Sequence, residues 1–212
     1  MILSLTRAMA DSFAAALAAV PPDPPIDVAR ARAQHAAYRA ALAALGARVI
    51  VLDGDEAYPD GCFIEDTAVI AGGVALITRP GAPSRRGEVD AVARALAPRI
   101  EVATMAAPAT LDGGDCLRLG RTLYVGRSAR TNAAGVARAA EVFEPRGLRV
   151  VPVALPPDVL HLKCVCAPLG DDRVLLAEGT LPAEVFAGAD VVWAPRAEAY
   201  AANAVAIDDG VI

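Results

Sequence analysis

Along this chain the spacing of apolar positions changes period in a fixed order, and that order repeats. Residues 69–77 form two short β runs around Ala71-Gly72-Gly73, the pattern of a hairpin with glycine at its turn. After a loop over residues 79–86, residues 88–96 combine strong helix formers with apolar positions at helical spacing, and Pro98 stops them. Residues 99–103 then alternate, which predicts a strand. The same succession recurs as a hairpin over 116–125 turning at Gly120, a helix over 133–143, and a strand over 148–153. It recurs again as a hairpin over 162–176 turning at Gly170-Asp171-Asp172, a short helix over 182–187, and a strand over 191–193. A fourth hairpin begins at Asn203 and turns at Asp208-Asp209-Gly210. Ahead of these units the pattern predicts a strand at 2–5, a helix over 28–45 and a strand at 49–52.

Aligned on their hairpin starts, the polar residues fall into register: Glu65-Asp66, Asp112 with Asp115, His161 with Lys163, and Asn203. The offsets are roughly 50 residues, within the range where periodicity means repeated structural units. Units packed around a common axis would point equivalent residues into one central cavity. That is how residues so far apart in the chain can form one site.

Composition narrows the setting. With 212 residues, 55% hydrophobic and 21% charged, the chain can bury a core and reads as one globular domain over residues 1–212. The net charge is −5, and Lys and Arg occur singly or in pairs such as Arg85-Arg86, which excludes the basic stripe that nucleic-acid binding requires. The apolar stretch at residues 13–20 is too short to span a bilayer and has no basic cluster before it, so neither a membrane nor a secretory leader is expected. Four scattered cysteines suit reduced thiols and a cytoplasmic location.

Glu65, Asp66 and Asp112 facing His161 offer what a planar guanidinium needs, because carboxylates accept its paired N–H donors in fork geometry. Arg85 and Arg130 follow their hairpins and could hold an anionic group at the other end of the same ligand, which makes that ligand resemble arginine. Acids beside His161 would raise its pKa and suit it to shuttle protons. Blander readings stand alongside. Asp60 and Asp115, taken alone, are as readily solvated turn carboxylates. Arg85 and Arg130 could be surface charges or helix caps. His35 reads as structural, and Trp193 and Phe63 as core. Gly113-Gly114 is read as a tight turn permitting close backbone approach, not a phosphate cradle. Cys164 and Cys166, two apart on an expected strand, share a face and lack a second ligand pair, so no metal site is assigned and buried thiols are expected there and at Cys62 and Cys116.

Six segments together resemble the dimethylarginine dimethylaminohydrolase (dimethylargininase) family: Pro59-Asp60-Gly61-Cys62-Phe63-Ile64-Glu65-Asp66, Ile77-Thr78-Arg79-Pro80-Gly81-Ala82-Pro83-Ser84-Arg85-Arg86, Leu111-Asp112-Gly113-Gly114-Asp115, Ser128-Ala129-Arg130-Thr131-Asn132, Leu160-His161-Leu162-Lys163 and Ala202-Asn203-Ala204. The resemblance implies an α/β pentein fold, a five-bladed propeller of repeated hairpin–helix–strand units with the last unit incomplete. It implies hydrolysis of N-methylated arginine to citrulline and a methylamine, through a cysteine thiolate that attacks the guanidinium carbon and a histidine that serves as acid and then base. By motif match His161 would be that acid and base, with Asp112 beside it. Asp60, Glu65 and Asp66 would line the pocket, Arg85 and Arg130 would bind the substrate carboxylate, and Leu17 would lie over the substrate.

The family's nucleophile lies in a Gly-Gly-rich stretch ending in Cys, beyond the Asn203 motif. No cysteine here matches that motif, although Cys116 follows Asp115 closely. The resulting expectation is a C-terminally truncated hydrolase, impaired without its nucleophile, that needs no cofactor or metal, takes a small-molecule substrate, and could self-associate through an open sheet edge. The alternatives are a nucleophile-free protein that binds guanidino ligands, and a relative of arginine deiminase or amidinotransferase.

Overall fold

The structure is a computed structural model that describes residues 2–208 and 210–212. The chain divides into two compact units, Met1–Ile64 with Ile212, and Glu65–Val211.

In the first unit, β1 (Leu3–Arg7) and β2 (Arg48–Leu52) pair in parallel, joined through α1 (Val28–Ala44). A parallel pair cannot be closed by a tight turn, so the helix supplies the crossover. Asp27 caps α1 by accepting the Arg30 N–H at 3.0 Å. Most of the apolar residues of α1 are alanines, and only Leu42 is buried. The exposed ring of Phe63, expected in a core, instead stands against Phe13, with ring centroids 6.0 Å apart.

The second unit contains the repeats. Hairpin β3 (Ala68–Ala71) and β4 (Val74–Ile77) turns on Gly72 and Gly73, whose φ angles of 55° and 79° are those of the left-handed turn that matches strand twist. Helix α2 (Val89–Leu96) then returns the chain to β5 (Glu101–Thr104), which pairs in parallel with β4. The second repeat is β6 (Cys116–Leu119), β7 (Thr122–Arg127), α3 (Ala133–Phe143) and β8 (Arg149–Ala154), in the same pairing order. Asn132 begins α3 by accepting the Gly135 N–H at 2.8 Å.

The third repeat is β9 (Cys166–Pro168), β10 (Arg173–Ala177) and β11 (Asp190–Ala194), with one 3-10 turn, Ala183–Phe186, in place of the helix. Its first strand starts later than the alternation implied, because Leu162–Cys164 closes into a 3-10 turn with Cys164 N–H donating to the His161 carbonyl. Cys164 and Cys166 therefore do not share a strand face. Trp193 is not core either: it lies 45% exposed on β11, the outer strand of its sheet. A short pair, β12 (Ala206–Ile207) with β13 (Gly210–Val211), matches the fourth hairpin, and Asp209, expected in its turn, lies outside the described residues.

The second repeat is buried on both faces. Cys116, Leu123 and Val125 join one core cluster with Val74, Leu76, Val142 and Phe143. Leu117, Leu119 and Tyr124 join another with Leu162, Val174, Leu176 and Phe186, where the Tyr124 and Phe186 rings meet edge to face at 5.0 Å. Successive strand residues point to opposite faces, so one hairpin supplies two cores. Among the described residues no helix is long and apolar enough to cross a membrane.

Phe143 is fully buried at the end of α3. Phe143→Ala is expected to cost about 3–5 kcal/mol, read as a lower urea midpoint at unchanged slope.

Candidate functional site

Three short 3-10 turns, each entering the first strand of a repeat, supply the polar cluster. Ile64–Thr67 carries Glu65 and Asp66, Gly113–Asp115 follows Asp112, and Leu162–Cys164 follows His161. The turns pack backbone against backbone. A Cβ added to Gly113 would stand 2.0 Å from the Glu65 carbonyl oxygen, so only glycine fits there. The approach also places the Gly114 N–H 2.9 Å from Oδ1 of Asp66.

Asp66, Asp112 and His161 are all buried, and each offers one ligand atom within 4.8 Å of the other two. Nε2 of His161 lies 3.9 Å from Oδ1 of Asp66 and 3.8 Å from Oδ2 of Asp112. The carboxylate oxygens of that triangle could accept the N–H groups of a guanidinium, and the three atoms together suit the coordination of a divalent cation. Asp112 is held from its other oxygen: Oδ1 accepts the Gly81 N–H at 2.8 Å, just beyond the bridge where Leu111 N–H donates to the Arg79 carbonyl. Among the described residues, Oδ2 of Asp112 and Nδ1 of His161 are buried without a hydrogen-bond partner. Arg130, partly exposed, brings Nη1 to 3.5 Å from Oδ2 of Asp112.

Burial works against a charge on His161, yet the Asp115, Asp66 and Asp112 carboxylates outweigh it and raise its pKa. Burial, helped by the nearby Asp66, raises that of Asp112 against the opposing pull of the Gly81 amide, His161 and Arg85. The pKa of each residue is thus set by the burial, carboxylates and amides that the fold places around it.

Arg85, expected to bind the substrate carboxylate, is engaged by acids of the fold. It is 4% exposed, donates Nε and Nη2 to the two oxygens of Glu88 at 2.9 and 2.8 Å, and donates Nη1 to Oδ2 of Asp66 at 2.7 Å. Its fork is thus engaged by two internal carboxylates, and it holds Asp66 in place. Glu88, fully buried, is hidden as a partner in the sequence because it reads as the first residue of a helix.

Glu65 is exposed and ion-paired with Lys163. The two also line a cavity of about 300 Å³ that includes Gly113, Cys116 and Arg118. Asp115, left open as a solvated carboxylate, is instead fully buried beside His161.

The remaining expected residues, Leu17 and Asp60, belong to the first unit, where the Leu17 N–H donates to both oxygens of the buried Asp60 at 3.0 and 3.3 Å. A groove of that unit, about 650 Å³ between Phe13, Pro24 and His35, contains none of the expected site residues. Of the cysteines, Cys116 has its thiol pushed far up by burial, Cys166 is pushed up to about 12 by burial, and Cys164 is raised for the same reason. As protonated thiols these three are poor nucleophiles.

Comparison with known proteins places this geometry in context. The family model for eukaryotic N,N dimethylarginine dimethylhydrolase matches residues 9–188. The N(G),N(G)-dimethylarginine dimethylaminohydrolase of Streptomyces coelicolor is 47% identical over 152 residues, 71% of this chain and 58% of that protein. The enzyme of the same name from Pseudomonas aeruginosa is 36% identical over 188 residues, 88% of this chain and 74% of that one. This chain therefore spans between about half and three quarters of the length of these two relatives. A Pseudomonas aeruginosa structure, a cysteine-to-serine mutant complexed with citrulline, superposes with a TM-score of 0.93 at 33% identity, covering 99% of this chain and 82% of that one. The N-terminal domain of the cyanobacterial arginine dihydrolase ArgZ superposes with a TM-score of 0.86 at 18% identity, a likeness of fold alone. The fold is the pentein-type α/β arrangement of repeated hairpin–helix–strand units.

Two outcomes follow from the charges. The folded chain holds His161 with a raised pKa, so its imidazolium contributes stability that is fully present below the unfolded value of 6.5 and fades as pH rises through the folded value. His161→Ala should lower the urea midpoint more at about pH 6 than at about pH 9; equal losses at both would sink the charge assignment. Glu88→Ala leaves Arg85 with one carboxylate fewer in a buried site and is expected to cost about 3–5 kcal/mol in the same measurement.

Proposed function

Since the chain belongs to the dimethylarginine dimethylaminohydrolase family, we propose that it recognises the guanidino group of N-methylated arginine and transfers protons to and from it in its hydrolysis. The observation that carries this reading is the convergence of Asp66, Asp112 and Nε2 of His161, with a buried Asp112 oxygen that no hydrogen bond occupies. A guanidinium placed there would donate to the two carboxylates while its carbon stays within reach of His161.

In this reading the thiolate is taken from the family pattern and not from Cys116, Cys164 or Cys166: it adds to the guanidinium carbon and the C–N bond to the methylamine breaks. Protonated His161 gives its proton to the departing nitrogen. Neutral His161 then takes a proton from water, which adds to the same carbon, and citrulline leaves as the thiolate is restored. Arg130 receives the substrate carboxylate, Glu65 borders the pocket, and Arg85 fixes Asp66. The assignment of Leu17 and Asp60 to the substrate rests on the family resemblance, and that of residues 1–212 to a single cytoplasmic domain on composition and cysteine usage. With Cys116, Cys164 and Cys166 held as thiols, these residues account for recognition and proton transfer, not for the nucleophile.

Calorimetric titration of the purified chain with dimethylarginine, arginine and lysine tests the reading. Both guanidino ligands should bind more tightly than lysine, and dimethylarginine more tightly than arginine if the pocket is tuned to methylated substrate. Asp66→Asn should weaken binding by about 10- to 100-fold, the worth of a hydrogen bond to a charged group. Lysine binding as tightly as dimethylarginine would overturn the reading. Binding without citrulline release would favour the guanidino-binding alternative.

A further inference from the structure

Asp115 has no part in the reading above, yet it is the most heavily engaged carboxylate of the cluster. It is fully buried. Oδ1 accepts the Leu162 N–H at 3.1 Å, which pins the residue next to His161. Oδ2 accepts the hydroxyls of Ser128 and Thr131, each at 2.6 Å, and stands 3.4 Å from Nδ1 of His161. Three donors converging on one group suit the acceptor-only chemistry of a carboxylate.

We propose that Asp115 is a positioning residue that fixes the orientation and tautomer of the His161 ring and, through Ser128, the turn that carries Arg130. The proposal deepens the reading above and rests on it only for what the poised ring is used for. The ring has Asp115 on its Nδ1 side, and Asp66 and Asp112 on its Nε2 side. In the neutral ring both nitrogens face carboxylate oxygens, but the Asp115 oxygen stands nearer, 3.4 Å from Nδ1 against 3.8 and 3.9 Å at Nε2, so a proton on Nδ1 meets the closer acceptor and its lone pair there would meet the closer repulsion. The Nδ1–H form is therefore selected, and Nε2 is left as the atom that gives and takes protons. Two carboxylates three residues apart thereby come to act differently. Asp112 keeps a free oxygen toward the ligand side, while Asp115 commits its oxygens to hydroxyls, an amide and the back of the ring.

The same contact reaches the other end of the site. The Ser128 hydroxyl gives its proton to Asp115, and its oxygen accepts the N–H groups of Arg130 at 3.0 Å and Thr131 at 3.3 Å. The turn carrying Arg130 is wound around an oxygen whose direction Asp115 sets. One buried carboxylate thus ties the proton-transfer atom to the clamp.

The chain has two histidines, so nitrogen-15 NMR of the full chain resolves both rings, with His35 as the internal reference. Neutral His161 is expected as the Nδ1–H tautomer, and an Nε2–H tautomer in the unsubstituted chain overturns the proposal with no variant needed. Asp115→Asn is expected to mix the tautomers and to lower the titration midpoint of His161 by about one unit while leaving that of His35 in place. A folded Asp115→Asn chain with an unchanged His161 tautomer and midpoint also defeats it. Ser128→Ala keeps the charge; it should retain the Nδ1–H tautomer and weaken dimethylarginine binding several-fold through Arg130, and unaltered binding removes the link to the clamp. Absence of dimethylarginine binding by the unsubstituted chain, with His161 in the Nδ1–H tautomer, would strike the guanidino reading alone.

Discussion

Removing carboxylates from water is costly, and the site of this protein buries Asp66, Asp112 and Asp115 around one imidazole. Repulsion and desolvation at such distances would neutralise or expel them unless each found donors the fold itself holds in place. Each does, in a different way. Asp66 takes an arginine that a second buried acid braces from behind, together with the Gly114 amide. Asp112 takes the Gly81 amide. Asp115 takes two hydroxyls and the Leu162 amide. Most of these donors are backbone amides at turns or side chains buried in repeat-to-repeat contacts, which explains why polar residues cluster where each repeat begins. The turns are the segments whose amides are not consumed by a ladder or a helix.

Because the three acids differ in their donors, they differ in their chemistry. An acid that already takes three donors, as Asp115 does, is left to orient its neighbour, whereas one with an open oxygen, as in Asp112, can meet a ligand or exchange protons. The fold thus makes unlike groups from identical side chains by allocating amides and hydroxyls unequally.

The repeat order, the hairpin turns and the helix starting at Ala133 can be read from the sequence, because glycine at a left-handed turn, an Asn cap and the 2-to-3.6 change of period are local signals. The alignment of Asp66, Asp112 and His161 is legible for a related reason: a repeat carries its geometry in its register. What is not legible depends on contacts far apart in sequence. Asp115 looks like any turn carboxylate until Ser128, Thr131 and Leu162 close around it. Arg85 looks like a surface cation until Asp66, 19 residues away, takes its fork. Phe63 and Trp193 look like core because aromatics usually are, but an outer strand and a loop leave them half exposed.

The middle hairpin carries a further consequence. Its alternate residues belong to two different cores, so its pairing register does more than decide which side faces water. A one-residue slip there would exchange the contents of the two cores, sending Tyr124 and Leu117 where Val125 and Cys116 should be. Both interiors would be filled wrongly at once. The turn at Gly120 and Arg121 therefore acts as a sorting point: it apportions side-chain volume between neighbouring repeats, so that neither can be repacked without the other registering the change.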